Sequence, residues 1–460
     1  MFSVREEKTV RNIESRVVRI FSYFVFVALG AAAPPSANRD LPFIENDYAR
    51  SLSDARARKL PLAVEVHSLV CPACRTMAVT VLREPGITRH SPSFVWAKLD
   101  AGMLENAEFL NRFPVTGTPM FLIIEPETEK VLAKHVGLAD EGELSELLEQ
   151  SLKEFRGKRM DDLHAARARA DHAFAVGQFV EATKLYREIL KDTPGDWAGR
   201  SRVAEMWLAA LAWVPDYPEC TRVAQAELPR LRRNSAWVRS VGIAEFCVSK
   251  LPDAPERAQV AAQVDALGRA ALEVPVTPLT RAALYGSLLA TRTTLKDEEG
   301  EKRLANSMFQ FLESARAKVP TAQERSALDS FLVRSATTLG RLPQVLPYLQ
   351  ASERELPESP AASAVLANAY ASLNRFDEAL AAIDRAISKA PPVLRVSLVS
   401  AKAGMFQKKG DSAAARRTWD EAVHLAEELP SSPRFAKMVA WTKTQREKAM
   451  AAAPPKVAQP

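Results

Sequence analysis

The chain of 460 residues is too long for one ordinary hydrophobic core, so its length predicts two or more domains. Hydrophobic residues make up 47% of the sequence and charged residues 26%, which is typical of folded globular proteins and argues against a disordered chain. The formal net charge is +6, of which +2 belongs to residues 1–33, and the basic residues form no run. This charge distribution argues against a nucleic-acid-binding protein.

Residues 1–33 have the pattern of an export signal. Five basic residues precede an apolar run of fourteen residues from Ile20 to Ala33. As a helix this run would be about 21 Å long, which is short of the roughly 30 Å hydrocarbon core of a membrane. Small residues before Pro34-Pro35 suit cleavage by signal peptidase. We therefore predict a signal peptide, with an uncleaved membrane anchor as the alternative, and a periplasmic or secreted protein.

Strand-like and helix-like segments alternate over residues 43–156, which predicts an α/β domain. The predicted strands are 62–67, 94–99, 120–124 and 131–136. The predicted helices are 47–59, 71–83, 104–113 and 141–155.

Strand patterns disappear after about residue 157, and helical periodicity dominates the rest of the chain. Segments that begin at Gly177, Gly340, Asn374 and Gly410 share small and apolar residues five and nine positions later, and the last three begin 34 and 36 residues apart. This pattern resembles the tetratricopeptide repeat, whose unit is two antiparallel helices. It predicts an all-α, tetratricopeptide-like solenoid over residues 160–450, with an irregular helical bundle as the alternative, and a disordered tail over 451–460.

The sequence Cys71-Pro72-Ala73-Cys74 lies where the predicted strand 62–67 gives way to a helix. Two cysteines three positions apart on a first helical turn can close a disulfide, and the unpaired amide hydrogens there favour the thiolate of the first cysteine. Cys71 is therefore the candidate nucleophile and Cys74 the candidate resolving thiol. A zinc site would need two further ligands at a suitable spacing, which the sequence lacks, so we predict no metal and no cofactor beyond this disulfide. A purely structural disulfide remains the alternative.

Over residues 43–155 these features resemble the thioredoxin family. Glu65, six residues before Cys71, falls where that family keeps a buried carboxylate that moves the proton of the resolving thiol. Thr118-Pro119 matches the proline of the family that follows a cis peptide bond and docks the substrate backbone beside the disulfide. The alternative for Glu65 is a position on the solvent-exposed face of a strand. The alternative for Pro119 is an ordinary proline that follows a trans peptide bond.

Two departures from the family pattern bear on substrates and on redox direction. Val70 stands where thioredoxins usually have Trp, and Pro72-Ala73 stands where reducing thioredoxins have Gly-Pro. With Thr118 and Pro119, these three residues are the predicted substrate-binding surface. Because no His lies between the cysteines, a reductase or isomerase is favoured over a strong oxidant, and the direction of electron flow stays open.

The sequence therefore predicts a multidomain protein, an α/β thioredoxin fold followed by an all-α solenoid, that acts as an exported thiol–disulfide oxidoreductase. Its predicted partners are client proteins with disulfides or thiols, a redox partner protein and a protein ligand of the helical repeats. The alternative is a non-catalytic chaperone or assembly scaffold. Cys220 and Cys247, 27 positions apart, form either a structural disulfide or two buried free thiols.

Overall fold

The computed structural model of the chain describes residues 40–157, 162–195, 197 and 199–451. The predicted signal peptide and residues 452–460 of the predicted tail lie outside the described residues, and Ala451 closes a helix. The strands are β1 (Phe43–Glu45), β2 (Leu62–His67), β3 (Val95–Asp100), β4 (Met120–Ile124) and β5 (Val131–Val136). None of the described helices is both long and apolar enough to cross a membrane.

The helices fall into two groups. The first five, α1–α5, lie among and after the strands: Tyr48–Arg58, Pro72–Val79, Pro85–Thr88, Ala107–Arg112 and Glu141–Phe155. The other fifteen, α6–α20, follow without a strand among the described residues: Asp162–Ala175, Phe179–Asp192, Arg200–Trp213, Tyr217–Glu227, Ser235–Ser249, Pro255–Leu272, Pro278–Leu295, Glu298–Lys318, Ala322–Thr338, Leu342–Glu355, Pro360–Ser372, Phe376–Ser388, Pro392–Lys409, Ser412–Glu427 and Pro433–Ala451.

The five strands form one mixed sheet in the order β1-β3-β2-β4-β5. The strands β1, β3 and β2 are parallel, whereas β4 runs antiparallel to both β2 and β5. All five residues of β4 are buried, which explains its unbroken apolar sequence, because a strand covered on both faces has no polar side. Glu65 lies near the middle of the sheet, opposite Lys98 on β3 and Phe121 on β4.

Each face of the sheet has its own hydrophobic core. Val64, Ala97 and Leu122 pack on one face with residues of α1 and α4. Phe121 and Trp96 pack on the other face with residues of α2 and α5. Side chains alternate between the two faces along β2, so Glu65 lies on this second face. The helix that begins after Cys71 packs on the same face.

The structure corrects several predicted boundaries in this α/β part. The predicted helix 71–83 is wrong beyond Val79, because the backbone of Thr80 leaves the helical region and a 3-10 turn follows. The predicted helix 104–113 likewise begins as a 3-10 turn and becomes α-helical only at Ala107. The strand β1 is absent from the prediction since its three residues are too few for an alternating pattern.

The remaining helices form a solenoid, as the repeat pattern predicts. Each helix from α6 to α20 packs against the next one along the chain, which is how repeat proteins bury their apolar faces. The four residues that begin the predicted repeats, Gly177, Gly340, Asn374 and Gly410, all have positive φ angles. Glycine and asparagine tolerate this left-handed conformation, so these residues end one helix and let the chain turn into the next.

Cys220 of α9 and Cys247 of α10 form a disulfide, and both side chains are fully buried. The structure therefore decides between the two alternatives that the sequence left open for this pair. The disulfide joins two helices that already pack against each other. Its position inside the solenoid core is that of a structural crosslink.

The α/β part and the solenoid share a continuous core. Met77 and Val81 belong to the same hydrophobic cluster as Leu328 and Leu332 of α14, and α2 packs directly against α14. Arg75 of α2 donates to the carbonyl oxygen of Ser326 at 3.3 Å. The helix that follows Cys71 is therefore held against the solenoid along one side.

Candidate functional site

The disulfide between Cys71 and Cys74 lies at the amino terminus of α2. Cys71 is the capping residue, with an extended backbone, and its Sγ accepts a hydrogen bond from the backbone N–H of Cys74 at 3.0 Å. Pro72 suits the first turn because its missing N–H would have no partner there. After reduction, the same amide and the helix terminus would stabilise a thiolate on Cys71.

A loop before β4 reaches the disulfide from the other side. The carbonyl oxygen of Thr118 lies 3.2 Å from Cys71 Sγ, and the peptide bond between Thr118 and Pro119 is cis. Pro119 itself is buried, whereas Val70 is half-buried beside the disulfide. The structure thus places these predicted site residues around Cys71.

Cys71, Pro72, Ala73 and Thr118 line a cleft of about 730 Å³ between the α/β part and the solenoid. We call this space the redox cleft, after the Cys71–Cys74 disulfide beside it. The solenoid residues that line it come from α6, α8, α10, α12 and α14 and, apart from Thr280, Ser287 and two charged residues, they are small or apolar: Phe174, Met206, Ala209, Ala212, Trp213, Val238, Gly242, Ile243, Phe246, Leu279, Ala283, Leu284 and Phe331. Sequence reasoning missed these residues because helical periodicity identifies a buried face but not the surface opposite it.

Two charged residues line the redox cleft among the described residues, and they neutralise each other. Arg239 of α10 donates to Glu205 of α8 at 2.8 Å and to Glu143 of α5 at 2.6 Å. Burial by itself raises the pKa of Glu205, but Arg202 and Arg239 hold that pKa below its usual value. Arg239 therefore stays charged and ties the α/β part to the solenoid beside the cleft.

Behind the disulfide lies a second cavity, of about 370 Å³, which Glu65, Cys74 and Lys98 help to line. Gln323 of α14 and the loop between α15 and α16 form its solenoid side. Glu65 is 1% exposed, so the alternative of an exposed strand face is wrong. Neither of its carboxylate oxygens has a hydrogen-bond partner among the described residues.

The burial of Glu65 changes its titration. Loss of hydration raises its pKa to about 7, an effect that the positive charge of Lys98 only partly offsets. The pKa of the neighbouring His67 is shifted in the opposite direction, because burial and the positive charge of Lys98 lower it to about 4. Glu65 is therefore the group beside Cys74 that can exchange a proton near neutral pH, and His67 is uncharged there. No cluster of His, Cys, Asp or Glu suited to a metal ion occurs in the described part of the chain.

Replacing Glu65 with Gln is expected to remove a pH-dependent loss of stability. Between pH 4.5 and about 7 the folded chain keeps a proton on Glu65 that the unfolded chain has lost. The free energy of unfolding of the native protein therefore falls as the pH rises through this window, by up to about 3 kcal/mol. In urea denaturation, the Glu65→Gln variant should gain stability relative to the native protein from pH 4.5 to 7 and keep that gain above pH 7.

The comparison between the two proteins is needed because His67 titrates with the opposite sign in an overlapping window. Both proteins contain His67, so its contribution cancels in the difference. Glu105→Gln, at an exposed glutamate of the α/β part, serves as the matched control for the loss of one carboxylate. A difference for Glu65→Gln that stays constant from pH 4.5 to 8 would show that Glu65 titrates as an exposed acid.

Comparisons with known proteins bear on the solenoid. Residues 336–402 match the tetratricopeptide repeat family, which confirms that the segments beginning at Gly340 and Asn374 are tetratricopeptide repeats. The match runs from the end of α14 into α18. No protein of curated function matches the sequence.

Three solved structures are similar over much of the chain. The crystal structure of yeast Tom70 has a TM-score of 0.36 at 13% identity, over 64% of this chain and 65% of that one. The APC/C hetero-tetramer Cut9-Hcn1 has a TM-score of 0.31 at 14% identity, over 68% of this chain and 57% of that one. The TPR2AB-domain:pHSP90 complex of yeast Sti1 has a TM-score of 0.24 at 17% identity, over 63% of this chain and 98% of that one. The chain thus spans about 65% of the length of the Tom70 chain that it matches.

Proposed function

We propose that the protein is an exported thiol–disulfide oxidoreductase of the thioredoxin type, whose tetratricopeptide repeats hold a client protein at the disulfide. The observation that carries this proposal is the position of Cys71, at the start of α2 and in the lining of a cleft that residues of the solenoid also line. The proposal that the protein is exported rests on the sequence pattern of residues 1–33 alone.

Further features support a thioredoxin-like α/β part. The sheet has three parallel strands and an antiparallel pair, and α2 follows the strand β2 that carries Glu65. Thr118 reaches Cys71 from the loop before β4. Glu65 and Cys74 line one cavity and Cys71 lines another, and the two cavities share no lining residue, so the proton acceptor lies outside the cleft that would receive the client.

The reaction in the reducing direction has two exchange steps. The thiolate of Cys71 attacks one sulfur of a client disulfide, forms a mixed disulfide and releases the other client sulfur, which takes a proton from water. Glu65 then accepts the proton of the Cys74 thiol, and the Cys74 sulfur attacks Cys71 and displaces the client. The client gains two electrons, and the Cys71–Cys74 disulfide must be reduced again by a dithiol partner protein. An isomerase would use the first step in the same way.

The tetratricopeptide match favours a second candidate function. Repeats of this kind form extended surfaces that bind proteins. A chaperone or assembly scaffold would use the redox cleft and the solenoid for binding alone, with Cys71–Cys74 as a structural disulfide. The two candidates differ in whether Cys71 forms a covalent bond with a client.

Trapping of the mixed disulfide tests the proposal. The reduced Cys74→Ser variant cannot complete the second step, so it should accumulate a covalent adduct with insulin through Cys71, visible by mass spectrometry under non-reducing conditions. The Cys71→Ser/Cys74→Ser variant is the matched control and should form no adduct. Absence of an adduct from both variants, with insulin still bound, would favour the scaffold.

A further inference from the structure

Arg75, the residue that follows Cys74, connects the disulfide to the solenoid. Its guanidinium donates to the carbonyl oxygen of Leu69 and to that of Ser326, each at 3.3 Å. Leu69 lies two residues before Cys71, in the turn that leads into α2. Ser326 belongs to α14 of the solenoid and is 3% exposed. One side chain therefore holds the turn before the nucleophile against the solenoid.

The positive charge of Arg75 is not cancelled by a direct ion pair in the described part of the chain. Its two hydrogen bonds go to uncharged carbonyl oxygens. Asp329, which lies one turn after Ser326 on α14, favours the charged guanidinium and partly offsets the lowering of the Arg75 pKa by burial. Asp329 is buried and lies 3.5 Å from the guanidinium of Arg316. An arginine in this setting stays charged at neutral pH.

This charge lies close enough to the disulfide to affect its reduction. Arg75 and Cys74 line the same cavity, the one that also contains Glu65. Two peptide units span at most about 7.6 Å, so a group bonded to the Leu69 carbonyl lies within roughly 10 Å of Cys71. At that distance in a partly buried site, a unit charge changes an equilibrium constant by about tenfold.

The sign of the effect follows from the charges of the two redox states. The disulfide is neutral, whereas the reduced form carries a thiolate on Cys71 in the proposed reaction. A nearby cation stabilises the reduced form and leaves the disulfide unaffected, which makes the reduction potential less negative. An anion near that cation has the opposite effect.

We infer, on the basis of the proposed function, that Arg75 is a positioning residue through which the solenoid sets the reduction potential of the Cys71–Cys74 disulfide. Its hydrogen bonds fix the turn before Cys71, and its charge stabilises the reduced form. Asp329 weakens this stabilisation from the solenoid. The reduction potential thus depends on α14 as well as on the two residues between the cysteines.

Equilibration of the full-length protein with redox buffers of dithiothreitol or glutathione tests this inference. Alkylation, digestion and mass spectrometry give the reduced fraction of Cys71–Cys74 separately from that of Cys220–Cys247. Arg75→Met keeps an unbranched apolar side chain but removes the charge and both hydrogen bonds. It should lower the equilibrium constant for reduction about tenfold, which makes the potential about 30 mV more negative.

Two further variants distinguish the charge from a loss of structure. Asp329→Asn is nearly isosteric and removes the anion that offsets Arg75, so the equilibrium constant should rise, by about threefold. Arg75→Lys keeps the charge and should stay within about twofold of the native value. Damage to the packing of α2 against α14 would shift all three variants in one direction, whereas the charge shifts Arg75→Met and Asp329→Asn in opposite directions.

Matched controls remove the same groups at exposed positions. Arg83→Met removes an arginine that follows α2 and pairs with Asp40 at 3.2 Å. Asp384→Asn removes an aspartate of α17 that pairs with Lys402 at 2.7 Å. Water and salt screen exposed charges, so both variants should keep the native equilibrium constant.

The outcomes separate the inference from the function on which it rests. An unchanged equilibrium constant in a folded Arg75→Met variant would overturn the inference. A constant that falls or stays the same in Asp329→Asn would overturn it too, and this variant decides the question if Arg75→Met does not fold. A Cys71–Cys74 pair that stays oxidised in every redox buffer would instead refute the oxidoreductase function.

Discussion

Cys71→Ser is expected to lower the rate of insulin reduction at least about a thousandfold. A thiolate is the attacking species in disulfide exchange, and a serine hydroxyl stays protonated at neutral pH and cannot form the mixed disulfide. Ser at this position can still cap α2 through the N–H of Cys74, so the fold should persist. Turnover is measured as the turbidity of the released insulin B chain, with dithiothreitol as the electron donor.

The second disulfide provides the control for this experiment. Cys220 and Cys247 are fully buried between α9 and α10 and do not line the redox cleft. The Cys220→Ala/Cys247→Ala variant should therefore keep the native rate at temperatures where it stays folded, although it loses a crosslink worth about 3 kcal/mol. Equal turnover by the native protein and by the Cys71→Ser variant would contradict the oxidoreductase proposal.

Arg239→Ala is expected to lower the free energy of unfolding by about 3 kcal/mol. The substitution leaves the buried carboxylate of Glu205 with Arg202 as its remaining cation, and it leaves Glu143 without the partner that joins α5 to α10. Arg239 also donates to the carbonyl oxygen of Leu138 at 3.1 Å, and that bond is lost too. Urea denaturation at pH 7 measures the change.

An exposed ion pair of the same chemistry is the matched control. Arg303 pairs with Glu299 on α13, where the two side chains are 71% and 89% exposed. Arg303→Ala should cost less than about 0.5 kcal/mol, because water replaces the lost contact and salt screens it. Similar losses from the two substitutions would mean that Arg239 does not hold the α/β part against the solenoid.

Local sequence patterns predicted most of the secondary structure. The strands β2, β4 and β5 and the helix α5 have the bounds that were predicted. Such segments are long enough for their periodicity to show which face is buried. The boundaries failed where the chain uses short 3-10 turns, near Thr80 and Leu104, since these have no periodicity of their own.

Only those residues of the candidate site that belong to the α/β part could be predicted from the sequence. Cys71 and Cys74 belong to one short motif, and Thr118-Pro119 was identified by family resemblance. The solenoid residues that line the redox cleft, including Trp213, Phe246 and Phe331, were not predicted. A helical pattern in the sequence does not predict which distant segment the exposed residues of that helix will face.

By itself, the sequence determined the order of an α/β part and a helical solenoid, the motif at Cys71 and the repeat pattern that begins at Gly177, Gly340 and Gly410. These depend on local properties of the chain, namely periodicity, helix capping and tolerance of positive φ angles. Tertiary structure alone decided the burial of Glu65, the pairing of Cys220 with Cys247 and the enclosure of Cys71. Each of these depends on which remote segments pack against the residue, and packing is a property of the whole fold.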